Sequence, residues 1–154
     1  MLMIEASSLQ NYSLFGGLLT EQIEKILPLI SYLSYDSDSL IMQEGQRNDS
    51  IYFILQGKVE VSKAGHHIVD LPEGQAFGEM ELLDVMPSAA TIRALEPVRL
   101  AVISNTSLHK IYCLDLCVFS IMIMNLARDL SRRLRHMDDV VSHDCDDNIG
   151  SIAD

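Results

Sequence analysis

Phe77-Gly78-Glu79-Met80-Glu81-Leu82-Leu83-Asp84-Val85-Met86-Pro87-Ser88-Ala89-Ala90-Thr91 opens on a glycine and a carboxylate, continues through helix-compatible residues, and closes on a proline followed by small residues. The helical part is long enough for about two turns. Gly78 can adopt backbone angles closed to other residues and lets another group approach the main chain. The first N–H groups of a helix beginning at Glu79, those of Met80 and its neighbours, have no intrahelical partner and favour an anion. Small residues after Pro87 leave backbone amides accessible. The layout is that of a cradle for a phosphate held by main-chain donors.

Regular structure of two kinds flanks this stretch. Between residues 7 and 33, Leu14, Leu18, Leu19, Ile23, Ile26, Leu27 and Ile30 recur at helical spacing. Gly16-Gly17 interrupts that run, and Thr20 reads as the N-cap of its second piece. From Tyr35 the period changes. Residues 39–43, 50–55, 58–62, 67–71, 91–95 and 99–104 are rich in β-branched and aromatic types, and Gly45, Gly57, Gly65, Gly74 and Gly78 punctuate them at hairpin intervals. Strands of this length and spacing make a sandwich, barrel or jelly roll.

Beyond Asn105 the helical period returns, with Leu108, Ile111, Tyr112 and Leu116 on one face, and residues 117–141 contain no Pro or Gly. Ser120, Ala127, Leu134 and Val141 fall seven apart, and Ile123, Leu130 and Met137 fall three after the first three of these. That is an a/d seam of about three heptads. Residues 118–124 are apolar enough all round to pack on the protein's own β-roll. Farther on, Arg128, Asp129, Arg132, Arg133 and Arg135 read as charged flanks in water around a homodimer seam of Ile123, Ala127, Leu130, Leu134, Met137 and Val141. The expected organisation is an N-terminal helical segment (1–34), a β-roll (35–104) containing the cradle (77–91), C-terminal helices (105–141) and an acidic, disordered tail (142–154).

Composition narrows the function. The chain has 154 residues, 48% of them hydrophobic, which suits one packed domain. Its net charge of −11, from 22 acids against 11 Lys plus Arg, opposes contact with nucleic acid and any anion not held by local geometry. No apolar run is long enough to cross a bilayer, and Met1-Leu2-Met3-Ile4-Glu5 has no basic region of a secretion signal, so no membrane association is expected. Three cysteines without a paired framework favour a reducing, cytoplasmic setting. Cys113 and Cys117 lie one helical turn apart without further ligands and read as small buried apolar residues, and no metal site or cofactor is expected. No nucleophile elbow, phosphate-binding Walker loop or paired catalytic carboxylates occur in suitable context, so the chain does not read as an enzyme.

The stretch from Phe77 to Thr91 closely resembles the phosphate-binding cassette of cyclic-nucleotide-binding domains, which runs Phe-Gly-Glu, a short helix, then Pro-Arg-Ala-Ala-Thr. The resemblance extends over roughly residues 14–135. It includes Glu44-Gly45, the run from Ser50 through Gly57 to Val61, Leu71-Pro72-Glu73-Gly74, and Leu126-Ala127-Arg128-Asp129-Leu130-Ser131-Arg132-Arg133-Leu134. The last stretch matches the long helix of relatives of catabolite activator protein. The resemblance implies a mainly β fold: a double-stranded β-helix (jelly roll) with N-terminal helices and a long C-terminal helix. It also implies ligand roles for Gly78, Glu79, Met80, Ser88, Ala89 and Ala90, with Glu79 accepting from a ribose 2′-hydroxyl and the Ala90 N–H capping a phosphate oxygen. Ala89 stands where members that prefer cyclic GMP often carry threonine, which leans the choice to cyclic AMP.

Ser88 departs from the family pattern, because it stands where the arginine that pairs with the cyclic phosphate belongs. A serine offers one neutral hydrogen bond in place of a charged fork. At about 1.5–3 kcal/mol for each charge-assisted bond, the change weakens binding roughly ten- to a hundred-fold or more. Arg93 reads as a surface residue, and Arg47 and Arg99 replace the missing charge only where the fold brings them close. The expected function is a stand-alone dimeric regulatory domain that senses a cyclic AMP-like anion weakly and signals to a downstream protein. The alternative is a ligand-free dimeric interaction module. Direct DNA binding is not expected, since no recognition helix follows the long helix.

Overall fold

Pro28 marks where the N-terminal helices give way to sheet. Helices α1 (Ala6–Leu9) and α2 (Thr20–Ile26) lead into a 3₁₀ turn at Leu27–Leu29, and the proline has no N–H with which to continue a helical ladder. Ile30 is extended, and β1 (Ser31–Tyr35) pairs antiparallel with β8 (Val98–Ser104). The helical expectation for residues 31–33, and the boundary after 34, are thus corrected: Tyr32 and Leu33 lie in a strand. Thr20 is the first residue of α2 and not its cap. Leu19 precedes the helix, and Gln22 Oε1 accepts the Leu19 N–H at 2.9 Å. The structure, a computed structural model, describes the backbone of residues 5–150 and their side chains apart from 81, 82 and 143–150.

The remaining strands are β2 (Leu40–Met42), β3 (Ser50–Gln56), β4 (Lys58–Lys63), β5 (His66–Pro72), β6 (Ala76–Phe77) and β7 (Thr91–Ala94). They form two four-stranded antiparallel sheets, ordered β1-β8-β3-β6 and β2-β7-β4-β5, which is the expected jelly roll. Strands β3 and β8 are buried on both faces, and alternation along them feeds two cores. Ile51, Phe53, Ala101 and Ile103 join Leu9, Phe15, Ile23 and Ile111 between the first sheet and the helices. Ile54, Leu100 and Val102 join Val59, Leu71, Phe77 and Ile92 between the sheets.

After the β-roll come α4 (Asn105–Leu114) and α5 (Leu116–Gly150), with α3 (Glu79–Asp84) inside the cassette. Ser104 Oγ accepts the Ser107 N–H at 3.1 Å and starts α4. Asp115 Oδ1 accepts the N–H groups of Cys117 at 3.0 Å and Val118 at 3.1 Å and starts α5. The first part of α5 is buried in its own chain: Val118, Met122 and Leu126 join the helix-side core, with the helix lying chiefly against α4 and the 3₁₀ turn at Ser13–Phe15. Two expectations fail here. Cys113 and Cys117 are exposed, because they fall at the corner between α4 and α5. The helix also continues to Gly150, so residues 142–150 are helical where a disordered tail was expected; no Pro or Gly stops the ladder before Gly150. Residues 151–154 of that expected tail lie outside the described residues.

Candidate ligand site

The cassette is assembled by β6, α3 and β7, and neighbouring backbone pins both of its ends. At the entrance Gly78 has φ +81°, and a Cβ there would sit 2.7 Å from Ser50 O and 2.8 Å from Asn48 Nδ2. Asn48 Nδ2 donates to Ser50 O at 2.7 Å and to Gly78 O at 3.1 Å. Glycine is required at this position by the close approach of the 48–52 segment as well as by its own φ. At the exit, the Ser88 N–H donates to Gln46 O and Ser88 O accepts the Gly45 N–H, both at 2.8 Å. Thr91 Oγ1 accepts the Glu44 N–H at 3.1 Å. Segment 44–50 therefore clamps the cassette at entrance and exit.

Glu79 is 2% exposed, and its Oε1 accepts from Arg133 Nη1 at 3.0 Å. The second guanidinium nitrogen, Nη2, donates to Ala76 O. One side chain from α5 thus joins the strand that enters the cassette to the first residue of its helix. A carboxylate this buried requires a cation or several donors, and Arg133 meets that requirement. This corrects the assignment of Arg133 to a solvated flank. It continues the inward stripe of Val118, Met122 and Leu126, in which Asp129, bonded to Ser13 Oγ at 2.7 Å, is the next member. Arg132, by contrast, is exposed as expected of a flank and reaches Asp129 from the solvent side.

Ser88 is 3% exposed, and its Oγ has no hydrogen-bond partner among the described residues. Buried hydroxyls are nearly always bonded, so an open one is an exception within this cassette. Ala89 and Ala90 beside it are half-buried, and Met80 is half exposed. Arg93 is exposed and donates to Asp38 O at 2.7 Å, while Arg99 lies in β8 opposite Ser34 and Gln56. Neither supplies the missing charge. Arg47 does reach the cassette's exit, where a cavity of about 640 Å³ separates it from Val85, Met86 and Pro87. None of the six expected ligand residues lines that cavity.

On the proposed dimer face, Ala127, Leu134, Met137 and Val141 are exposed and Leu130 is half-buried. Ile123 is partly buried against the helix-side core of its own chain. Reading by sequence missed Arg133. One signal was available: a buried glutamate needs a cation, and residues 128–135 hold four arginines.

A family model described as the cyclic nucleotide-binding domain matches residues 32–113. A cAMP-dependent protein kinase regulatory subunit of Debaryomyces hansenii is 29% identical over 104 residues, covering 67% of this chain and 23% of the yeast protein. The chain thus corresponds to about a quarter of that subunit. Among solved structures, a cyclic nucleotide-binding domain from Methylobacillus flagellatus aligns with a TM-score of 0.81 at 23% identity, covering 91% of this chain and 82% of that one. The catabolite activator protein of Thermus thermophilus aligns with a TM-score of 0.71 at 28% identity, covering 84% of this chain and 63% of the other. No described helix is long and apolar enough to cross a membrane.

Proposed function

The chain belongs to the cyclic nucleotide-binding domain family, and from that premise we propose that it is a regulatory module taking a cyclic AMP-like anion weakly on its cassette. The observation that carries this reading is the buried Ser88 hydroxyl without a partner. In the proposed complex this hydroxyl donates to a phosphate oxygen, with the main-chain donors at Met80 and Ala90 beside it. Glu79 accepts the ribose 2′-hydroxyl while Arg133 keeps its hold on the carboxylate. With no guanidinium on the phosphate and a chain charge of −11, affinity is low.

Because Arg133 sits on α5, a ligand at Glu79 and the position of the last helix are linked. A ligand that binds better to one position of α5 shifts the helix toward it. Homodimerisation through Ala127, Leu130, Leu134, Met137 and Val141 would carry that shift to a downstream protein. The exposed thiols of Cys113 and Cys117 suit a reducing cytoplasmic setting. Catalysis is not part of the reading. One observation favours a ligand-free interaction module instead: Glu79 is already engaged by Arg133.

Calorimetric titration with cyclic AMP and cyclic GMP separates the two. The sensor reading expects heat with a Kd above roughly 1 µM, cyclic AMP binding the tighter. Submicromolar binding contradicts the role given to Ser88, and no heat at millimolar nucleotide leaves the interaction module.

A further inference from the structure

We propose that the cavity at the cassette's exit is a second ligand site, for a small molecule that joins an aromatic or branched apolar body to a phosphate or carboxylate. At about 640 Å³ it falls within the usual range for small-molecule sites. Its lining is divided by chemistry. Val85, Met86 and Pro87 give an apolar wall, and Val85 and Met86 are 87% and 61% exposed. Facing them are Arg47, Tyr52 and Asn105.

Those three share a property. The Arg47 guanidinium, the Tyr52 hydroxyl and the Asn105 side-chain amide each lack a hydrogen bond or ion pair among the described residues. Arg47 and Asn105 are exposed, so water hydrates their donors and a ligand binds by displacing it. Asp49, the acid on the cavity rim, already accepts from Ser50 Oγ at 2.8 Å. Asn105 also begins α4, whose first turn presents N–H groups and a partial positive charge, and its own N–H fixes the rim through Asp49 O at 2.7 Å. Hydrated donors without protein partners on one wall and solvent-exposed aliphatic carbon on the other suit an amphiphilic anion. Inorganic phosphate would leave the apolar wall wet, and a neutral aromatic would leave Arg47 unpaired.

The backbone of the apolar wall is also unusual. Val85 has φ +59°, a left-handed conformation that a β-branched residue rarely adopts. The Asp84 carboxylate accepts the Met86 N–H at 3.0 Å and helps to hold that turn. A bound apolar body would cover the side chain that the turn exposes. Occupancy would also reach the cassette, since Arg47 directly follows Gln46, whose carbonyl bonds the Ser88 N–H. Tyr52 in turn stacks on Phe77 with ring centroids 5.0 Å apart.

The test is a titration of the whole chain with phenyl phosphate, followed by amide shifts in ¹⁵N–¹H spectra, with inorganic phosphate and benzyl alcohol as controls. Saturable shifts are expected at Val85, Met86 and Asn105 with a Kd on the order of 1 mM. Each control should bind about ten-fold more weakly or worse, and Arg47→Gln should weaken phenyl phosphate by at least about ten-fold without changing the thermal midpoint. Met86→Ser should weaken it while leaving inorganic phosphate unaffected. Absence of saturation at these amides, an affinity unchanged in Arg47→Gln, or shifts centred on Glu79 and Ala90 would overturn the proposal. Phenyl phosphate has no ribose hydroxyl for Glu79. Its failure therefore leaves the cyclic nucleotide reading intact, and failure of cyclic AMP leaves this one.

Discussion

The two halves of α5 carry apolar side chains at one helical spacing but occupy opposite environments. Val118, Met122 and Leu126 are 0%, 1% and 3% exposed, while Leu134, Met137 and Val141 are 62%, 57% and 61% exposed. Near the junction stands Asn125, buried, with its amide donating to Leu14 O at 3.1 Å and Gly16 O at 2.9 Å. Up to that point the helix lies against the N-terminal segment. Beyond it, inward contact is made by polar side chains, Asp129 to Ser13 and Arg133 to Glu79. Periodicity states that a stripe exists; the surroundings decide whether it faces the protein's own core or a partner. Burial at the near end makes α5 part of the domain. At the far end Leu134, Met137 and Val141 are left largely uncovered by their own chain.

Substitutions should separate the halves by size of effect. The largest is expected at Met122→Ala, a fully buried site, which should lower stability by about 2–5 kcal/mol in urea unfolding, while Leu134→Ala changes the monomer by less than about 0.5 kcal/mol. Equal losses at the two positions would erase the contrast. Next comes Arg133→Ala, which removes the cation from a buried carboxylate. Because the arginine is 29% exposed, a loss of about 1–3 kcal/mol is expected, with faster amide exchange beyond residue 129. Arg133→Lys should recover little, since one ammonium cannot serve both Glu79 and Ala76 O.

The outer half is tested by Leu134→Glu with Met137→Glu. Sedimentation should show dimerisation weakened by about ten-fold or more, with the unfolding midpoint of the isolated chain unmoved. Only monomers of the unaltered chain at high concentration would contradict the dimer. The smallest effect concerns pH at the near end. Burial, and then the charge and hydrogen bond of Glu73, raise the Tyr12 phenol above its ordinary value. The folded state therefore holds that proton longer than the unfolded one. Stability from this group is complete below about pH 10 and falls as pH climbs past it. Tyr12→Phe should flatten that decline in alkaline unfolding curves.

Sequence revealed what is contiguous and missed what is brought together by folding. The strands from β2 to β5 were legible because β-branched and aromatic residues lie between glycines with positive φ, and β7 and β8 because two such runs flank Glu96-Pro97. β1 was hidden because the helical spacing of Ile23, Ile26 and Ile30 ran up to it, and it is an edge strand with mostly exposed side chains. β6, at two residues, is too short to show any period. The cassette was readable because its residues are consecutive. Arg133 lies 54 residues from Glu79 and was invisible to local pattern. Only the demand of a buried acid for a cation could have pointed to it. The exposure of Cys113 and Cys117 depended on where α4 turns into α5, a corner that composition does not encode.

The central claim is that this cassette keeps a working anion seat which lacks only the phosphate arginine. Calorimetric titration of Ser88→Arg with cyclic AMP, beside the unaltered chain, tests it most directly. Binding tighter by about ten-fold or more is the expected result. An affinity no better than that of the serine form, in a variant that folds with the same circular dichroism, would mean that no nucleotide seat lies between Phe77 and Thr91.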